Sequence, residues 1–138
     1  MIAYVDSSVA LRFVLGEPNP LREWDELERS VSSAILGVEC FRALERLRLA
    51  RRHSDVEMAA RYESLRTFIA PIDFLDVTSN VLERAGQPLG MPLKTLDAIH
   101  LATALLWRET ASEESVFATH DRTLGSAARS YGLRVLGL

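Results

Sequence analysis

The strongest constraint on this chain is a repeated change of period: short apolar, β-branched runs alternate with stretches whose apolar residues recur at helical spacing. Ile2 to Val5 is the first such run; it ends at Asp6-Ser7-Ser8, after which Val9, Leu11, Val14 and Leu15 keep helical phase. Gly16-Glu17-Pro18-Asn19-Pro20 breaks that helix, a short second one is expected over Leu21 to Leu27, and a brief strand around Val31 follows. Ser33 is the expected cap of a long helix from Ala34 to about Arg52, and Ser54-x-x-Glu57 is a capping-box pattern opening another that runs to about Phe68. Pro71 to Val77 has strand character, and Thr78 can cap a short helix that Gly86 closes. After the loop of Gln87 to Lys94, Thr95 is the expected cap of an apolar helix to about Arg108. Ser115 to Thr119 then reads as a strand, Asp121 to Tyr131 as a helix and Leu133 to Leu136 as a last strand. This alternation predicts an α/β fold: a three-layer α/β/α sandwich with a mainly parallel central sheet and helices on both faces. With 138 residues and no internal repeat or linker, a single domain over residues 1–138 is expected.

Composition narrows the function classes. At 48% hydrophobic and 25% charged residues, the chain is neither disordered nor fibrous. Its one cysteine, Cys40, excludes an intrachain disulfide framework and a zinc site made of several thiolates. Asp6 and Arg12 interrupt the apolar N-terminal stretch that a signal peptide would need, and Leu96 to Trp107 is too short and too broken to span a bilayer, so a cytoplasmic protein without a membrane segment is expected. The net charge of −3 gives no global attraction for nucleic acid, so any polyanion site must be local.

The chemistry lies in four carboxylates. Asp6 and Asp121 each follow an expected strand, and in an open α/β sheet that is where ligands bind; each could equally be the N-cap of the next helix. Asp97 lies one turn into a helix that is otherwise almost wholly apolar, with no arginine or lysine three or four residues away within the helix. A carboxylate there is costly unless it is paired, protonated, metal-bound or supported by the helix N-terminus. Glu39 borders the apolar stripe of Leu36, Cys40, Ala43 and Leu47, with Arg42 and Arg46 on its other side, where an internal ion pair with Arg42 is the plain structural alternative. Four such groups in one crevice repel one another unless cations neutralise them, and an all-oxygen set suits Mg²⁺ or Mn²⁺. That chemistry points to phosphodiester hydrolysis by a metal-activated water.

Together, Asp6-Ser7-Ser8-Val9-Ala10-Leu11, Glu39, the stretch Leu96-Asp97-Ala98-Ile99-His100-Leu101-Ala102-Thr103-Ala104 and Thr119-His120-Asp121 resemble PIN-domain ribonucleases, and most closely the VapC-type toxins of bacterial toxin–antitoxin pairs. The resemblance covers essentially the whole chain. It implies an Mg²⁺- or Mn²⁺-dependent endoribonuclease, a homodimer, and a VapB-type antitoxin as partner. By position, Asp6, Glu39, Asp97 and Asp121 correspond to the family's acidic cluster and its metal ligands. Thr119 falls where the family often carries a supporting hydroxyl, and Ser7 is a second supporting candidate or an N-cap.

Five arginines between Arg42 and Arg52 face the single acid Glu45, and Arg42 and Arg46, on the side of Glu39, are the candidate RNA contacts; a solvated or dimer-forming helix face is the alternative. His100 is expected to be a satisfied core group or a hydrogen-bond partner of the site, and His120 to face away from it. Trp24 and Trp107 are expected to pack rather than stack on bases. A haloacid-dehalogenase-like phosphatase would need a second carboxylate at position 8, which is Ser8, and a phospho-receiver domain would need a lysine after a late strand, whereas the lone Lys94 precedes the Asp97 helix. The remaining alternative is a PIN-like protein that binds without catalysing.

Overall fold

A computed structural model describes residues 1–111 and 114–138. Strand β1 (Ile2–Val5) leads into α1 (Ser7–Val14), β2 (Arg29–Ser33) into α2 (Ile35–Leu49) and α3 (Asp55–Ile69), and β3 (Ile72–Leu75) into α4 (Ser79–Ala85) and α5 (Thr95–Thr110). Strand β4 (Ser115–Ala118), α6 (Arg122–Ser130) and β5 (Arg134–Leu136) complete the chain. The five strands are parallel throughout, in the order β3-β2-β1-β4-β5. Connections therefore leave β1 in one direction and return on its other side at β4, which makes the β1/β4 junction the switch point where a crevice opens.

Alternation along the central strands sorts the core into two layers. Ala3, Val5, Val116 and Ala118 pack under α1, α2 and α3 with Val9, Leu36, Cys40, Leu44 and Leu65. Tyr4 and Phe117 point the opposite way, against Leu101 and Leu105 of α5 and Leu124 and Ala128 of α6. The three layers expected from the sequence are thus present. Ala98 through Leu105 are buried without a break, so α5 is enclosed nearly all round for two turns. No helix among the described residues is long and apolar enough to cross a membrane.

Several local expectations change. The short helix expected over Leu21 to Leu27 is a 3₁₀ turn, Arg22–Glu26, that buries none of its own residues and so has no apolar stripe to extend it. Strand β3, Ile72–Leu75, is shorter than expected at both ends: Pro71 has no N–H for the ladder, and Asp76 and Val77 lie beyond the paired residues on the way to the Thr78 cap. The N-cap positions of α2 and α5 are Ala34 and Lys94 rather than Ser33 and Thr95, and neither makes a side-chain cap. Ser33 stays at the end of β2, where its hydroxyl still accepts from Ile35 N–H at 3.4 Å. The Ser54/Glu57 capping box and the Thr78 cap are both formed.

Candidate active site

Asp6 ends β1 and caps α1, so its position follows from the strand-to-helix junction itself. It is only 2% exposed, yet its Oδ2 accepts from Ser8 N–H at 3.2 Å, Ser8 Oγ–H at 2.5 Å and Thr119 Oγ–H at 3.0 Å. Thr119, the first residue beyond β4, is fully buried and also accepts from Asp121 N–H at 3.0 Å. Ser8 Oγ in turn accepts from His120 N–H at 2.9 Å. One hydroxyl on each side thus ties the β1–α1 turn to the β4–α6 turn, bringing Asp6 and Asp121 to the same end of the sheet.

Asp121 caps α6 through Oδ1, which accepts from Leu124 N–H at 2.8 Å, and its other oxygen makes no hydrogen bond among the described residues. For both strand-end acids the capping and the site readings hold together, because one carboxylate has two oxygens. Ser7 is not a cap: it occupies the first turn of α1, and its hydroxyl reaches Glu39 Oε1 at 3.2 Å and Asp6 Oδ1 at 3.5 Å.

Glu39, in the second turn of α2, forms no ion pair with Arg42 among the described residues; its Oε2 lies 2.5 Å from His100 Nε2. A carboxylate only accepts, so Nε2 carries the proton; in the neutral ring Nδ1 is bare and takes the Tyr4 O–H at 2.9 Å. The Tyr4 oxygen also accepts from Ser33 N–H at 3.1 Å. Glu39 is therefore held at the end of a chain running Ser33–Tyr4–His100 through the core. Burial pushes His100 toward its neutral form, but the Glu39 hydrogen bond and the charges of Asp6, Glu39 and Asp97 outweigh it and leave its pKa raised.

Asp97 differs from the rest. It sits half-buried in the first turn of α5 and receives no hydrogen bond among the described residues. Its carboxyl is pushed up first by burial and then by the charges of Asp6, Asp121 and Glu39, with His100 opposing. The four sequence candidates are thus within electrostatic reach of one another around Asp97.

The donor set suits a hard divalent cation: every candidate ligand is a carboxylate oxygen, and those of Asp97 and the second oxygen of Asp121 have no competing donor. Among the described residues no three acidic, histidine or cysteine side chains are gathered into a ready-made metal cage.

Arg42 and Arg46 line a cavity of about 370 Å³ beside Glu39, together with Leu11, Ile35, Val38 and Leu96. The other arginines of that helix do not converge there: Arg48 is clamped by Glu45 at 2.6 and 2.8 Å. Trp24 stacks on Phe68 at 4.3 Å, the packing role expected for it. Sequence reasoning passed over Tyr4 and Ser8 and left His100 outside the site. A tyrosine hydroxyl inside an apolar strand was the available signal, since it demands a buried partner.

Residues 3–130 match the PIN domain family. The chain is 34% identical to ribonuclease VapC46 of Mycobacterium tuberculosis, covering 96% of this chain and 95% of that protein, and 28% identical to ribonuclease VapC47 of the same species over 94% and 91%. Among solved structures, its fold is similar to VapBC2 from Rickettsia felis bound to a DNA fragment from their promoter, with a TM-score of 0.68 at 13% identity over 98% of this chain and 97% of the other. It is also similar to a toxin–antitoxin complex from Klebsiella pneumoniae, with a TM-score of 0.62 at 17% identity over 86% of each chain.

Proposed function

The chain belongs to the PIN domain family, as an endoribonuclease of the VapC toxin type, and we propose that Asp6, Glu39, Asp97 and Asp121 hold Mg²⁺ or Mn²⁺ for the cut. The observation that carries this is Asp97: a carboxylate among three others, partly desolvated, with no hydrogen-bond donor of its own among the described residues. Such a group is uncompensated in the protein alone and is stabilised by a cation from outside. When bound, that cation supplies a water of lowered pKa and positive charge beside the leaving oxygen.

The protein's own residues set the geometry. Ser8 and Thr119 fix the orientation of Asp6, since both hydroxyls donate to it. His100 and Ser7 each hold one of the two oxygens of Glu39, which fixes the orientation of its carboxylate. Asp121 is anchored through one oxygen by α6 and offers the other. The hydroxyls of Ser7, Ser8 and Thr119 are engaged with Asp6 and Glu39, and Cys40 is enclosed under α1 with its thiol pushed up to about 12, first by burial and then by Glu39 and Asp6.

The substrate is RNA, with Arg42 and Arg46 contacting its phosphates, and the partner is a VapB-type antitoxin. The apolar rim of Val38 and Leu96 beside Glu39 suits a partner segment that covers the site. We read the active species as a cytoplasmic homodimer, which sedimentation of the antitoxin-free protein tests. The decisive experiment for the activity is cleavage of mixed RNA by antitoxin-free protein with Mn²⁺, with EDTA, and with Asp97→Asn. Cutting that requires Mn²⁺ and disappears in the variant supports the reading. Cutting that survives EDTA would overturn the metal role of the four acids, and no cutting by folded protein with Mn²⁺ present points instead to the non-catalytic binder.

A further inference from the structure

On the far side of the β4–α6 turn from the carboxylates lies a cavity of about 610 Å³, within the roughly 300–1,000 Å³ typical of ligand sites. Its lining includes Arg12, Arg22, Arg122 and His120, with Glu23 as the one acidic side chain; Arg12 is paired with Glu17, so the two guanidinium groups of Arg22 and Arg122 are the ones left for an occupant. Arg22 and Arg122 make neither an ion pair nor a hydrogen bond among the described residues. Arg12 is braced by the Pro18 carbonyl at 3.2 Å and by Glu17 at 3.8 Å, which fixes its direction.

Two of the three buried side-chain nitrogens without a hydrogen bond, among the described residues, belong to this lining: His120 Nε2, and Arg12 Nε, whose neighbour is the Glu17 carboxylate at 3.8 Å. Buried polar atoms are normally satisfied, so the cavity calls for a polar occupant; in the neutral ring His120 Nε2 accepts, so its match is a donor such as a ribose hydroxyl, while the arginines match phosphate oxygens. His120 is locked by donating from Nδ1 to the Gly137 carbonyl at 2.6 Å. Gly137 itself has φ +91°, and a Cβ there would meet the Thr119 carbonyl at 2.7 Å, so the wall is shaped by a position that only glycine fills.

We propose that this cavity binds a phosphodiester of the RNA strand next to the one being cut. The inference rests on the ribonuclease reading above and adds a substrate-positioning site to it. Arginine forks match phosphate oxygens, and a concentration of them is what the acidic crevice itself cannot provide. Continuity favours RNA over a protein partner: His120 N–H donates to Ser8 Oγ, which donates to Asp6, so one turn forms the wall of both sites. A strand lying across that turn would place one phosphate at the carboxylates and a neighbour among the arginines. The antitoxin's natural seat is instead the apolar rim at Val38 and Leu96.

The test is anisotropy of a labelled, mixed-sequence ten-nucleotide RNA with the antitoxin-free full chain in EDTA, so that nothing is cut. Arg22→Ala/Arg122→Ala should weaken binding about tenfold or more and reduce the slope of log K against log salt by about 1.4, as two lost phosphate contacts on a single strand would. The charge-matched control Arg51→Ala/Arg52→Ala, at exposed positions at the end of α2, should do neither. In cleavage assays with Mn²⁺ the first pair should raise KM with kcat unchanged. Inorganic phosphate titrated calorimetrically separates a free-anion site from a strand site. The proposal is overturned if the two double variants behave alike, or if phosphate binds saturably while RNA affinity is unchanged by Arg22→Ala/Arg122→Ala. RNA that is cut with Mn²⁺ yet fails to bind the unaltered protein in EDTA would overturn this site alone; RNA that is neither bound in EDTA nor cut with Mn²⁺ would sink the ribonuclease reading as well.

Discussion

Asp6 and Asp97 bring the same charged group to the same crevice with opposite support. Asp6 is almost fully enclosed, yet accepts from a backbone N–H and two hydroxyls, whereas Asp97 is more open and accepts from nothing described. The difference comes from where each sits. A strand-to-helix junction gathers donors from two turns, while the first turn of an apolar helix offers only its dipole. The carboxylate at position 6 is thus tied into the fold, and that at position 97 is left without a donor among the described residues, as its proposed role toward a cation requires. Substitutions at the two positions should therefore fail in different ways.

The largest effect expected is on chemistry. Asp97→Asn should lower Mn²⁺-dependent RNA cleavage at least a hundredfold, roughly 3 kcal/mol of barrier, while urea unfolding stays cooperative. Retention of more than a tenth of the activity would erase the contrast. Asp6→Ala should instead destabilise the fold by about 2 to 3 kcal/mol in urea unfolding, since it strands the Ser8 and Thr119 donors and removes the cap of α1. A change below about 0.5 kcal/mol would mean those bonds are incidental.

Tyr4→Phe tests the buried relay behind Glu39 and should cost about 1 to 2 kcal/mol, because Ser33 N–H and His100 Nδ1 lose a shared partner. The smallest effect has the opposite sign. The folded-state pKa of Asp97 is raised, so its contribution to stability is present below the ordinary carboxylate value of 3.8 and is lost as pH rises through the raised one. Metal-free Asp97→Asn should then be the more stable protein at pH 7, by less than about 1 kcal/mol once solvent screening is allowed for, or about 2 °C in Tm. A thermal melt in EDTA that shows the variant less stable would assign Asp97 a structural role.

The layered fold was legible because the alternation of periods is a local property: Ile2 to Val5 and the helix from Ser7 each announce themselves within a few residues. The acids following β1 and β4 were legible for the same reason, since strand ends are where a parallel sheet exposes its sites. What pairs with them was not. The hydrogen bond between Thr119 and Asp6 spans 113 residues, and that between His100 and Glu39 spans 61, so only the folded sheet brings them together. The caps of α2 and α5 were misplaced by one residue because Ser33 and Thr95 have cap chemistry, but Ser33 is held in the β2/β3 ladder and the Lys94 carbonyl already accepts from Ala98 N–H.

Calorimetric titration of Mn²⁺ into metal-free, antitoxin-free protein, unaltered and Asp97→Asn, most directly tests the claim that Asp97 carries an uncompensated charge for a cation. Saturable binding that is lost or weakened at least tenfold in the variant is the result this account predicts. Equal binding by both proteins, or none by either while both remain folded, would contradict it.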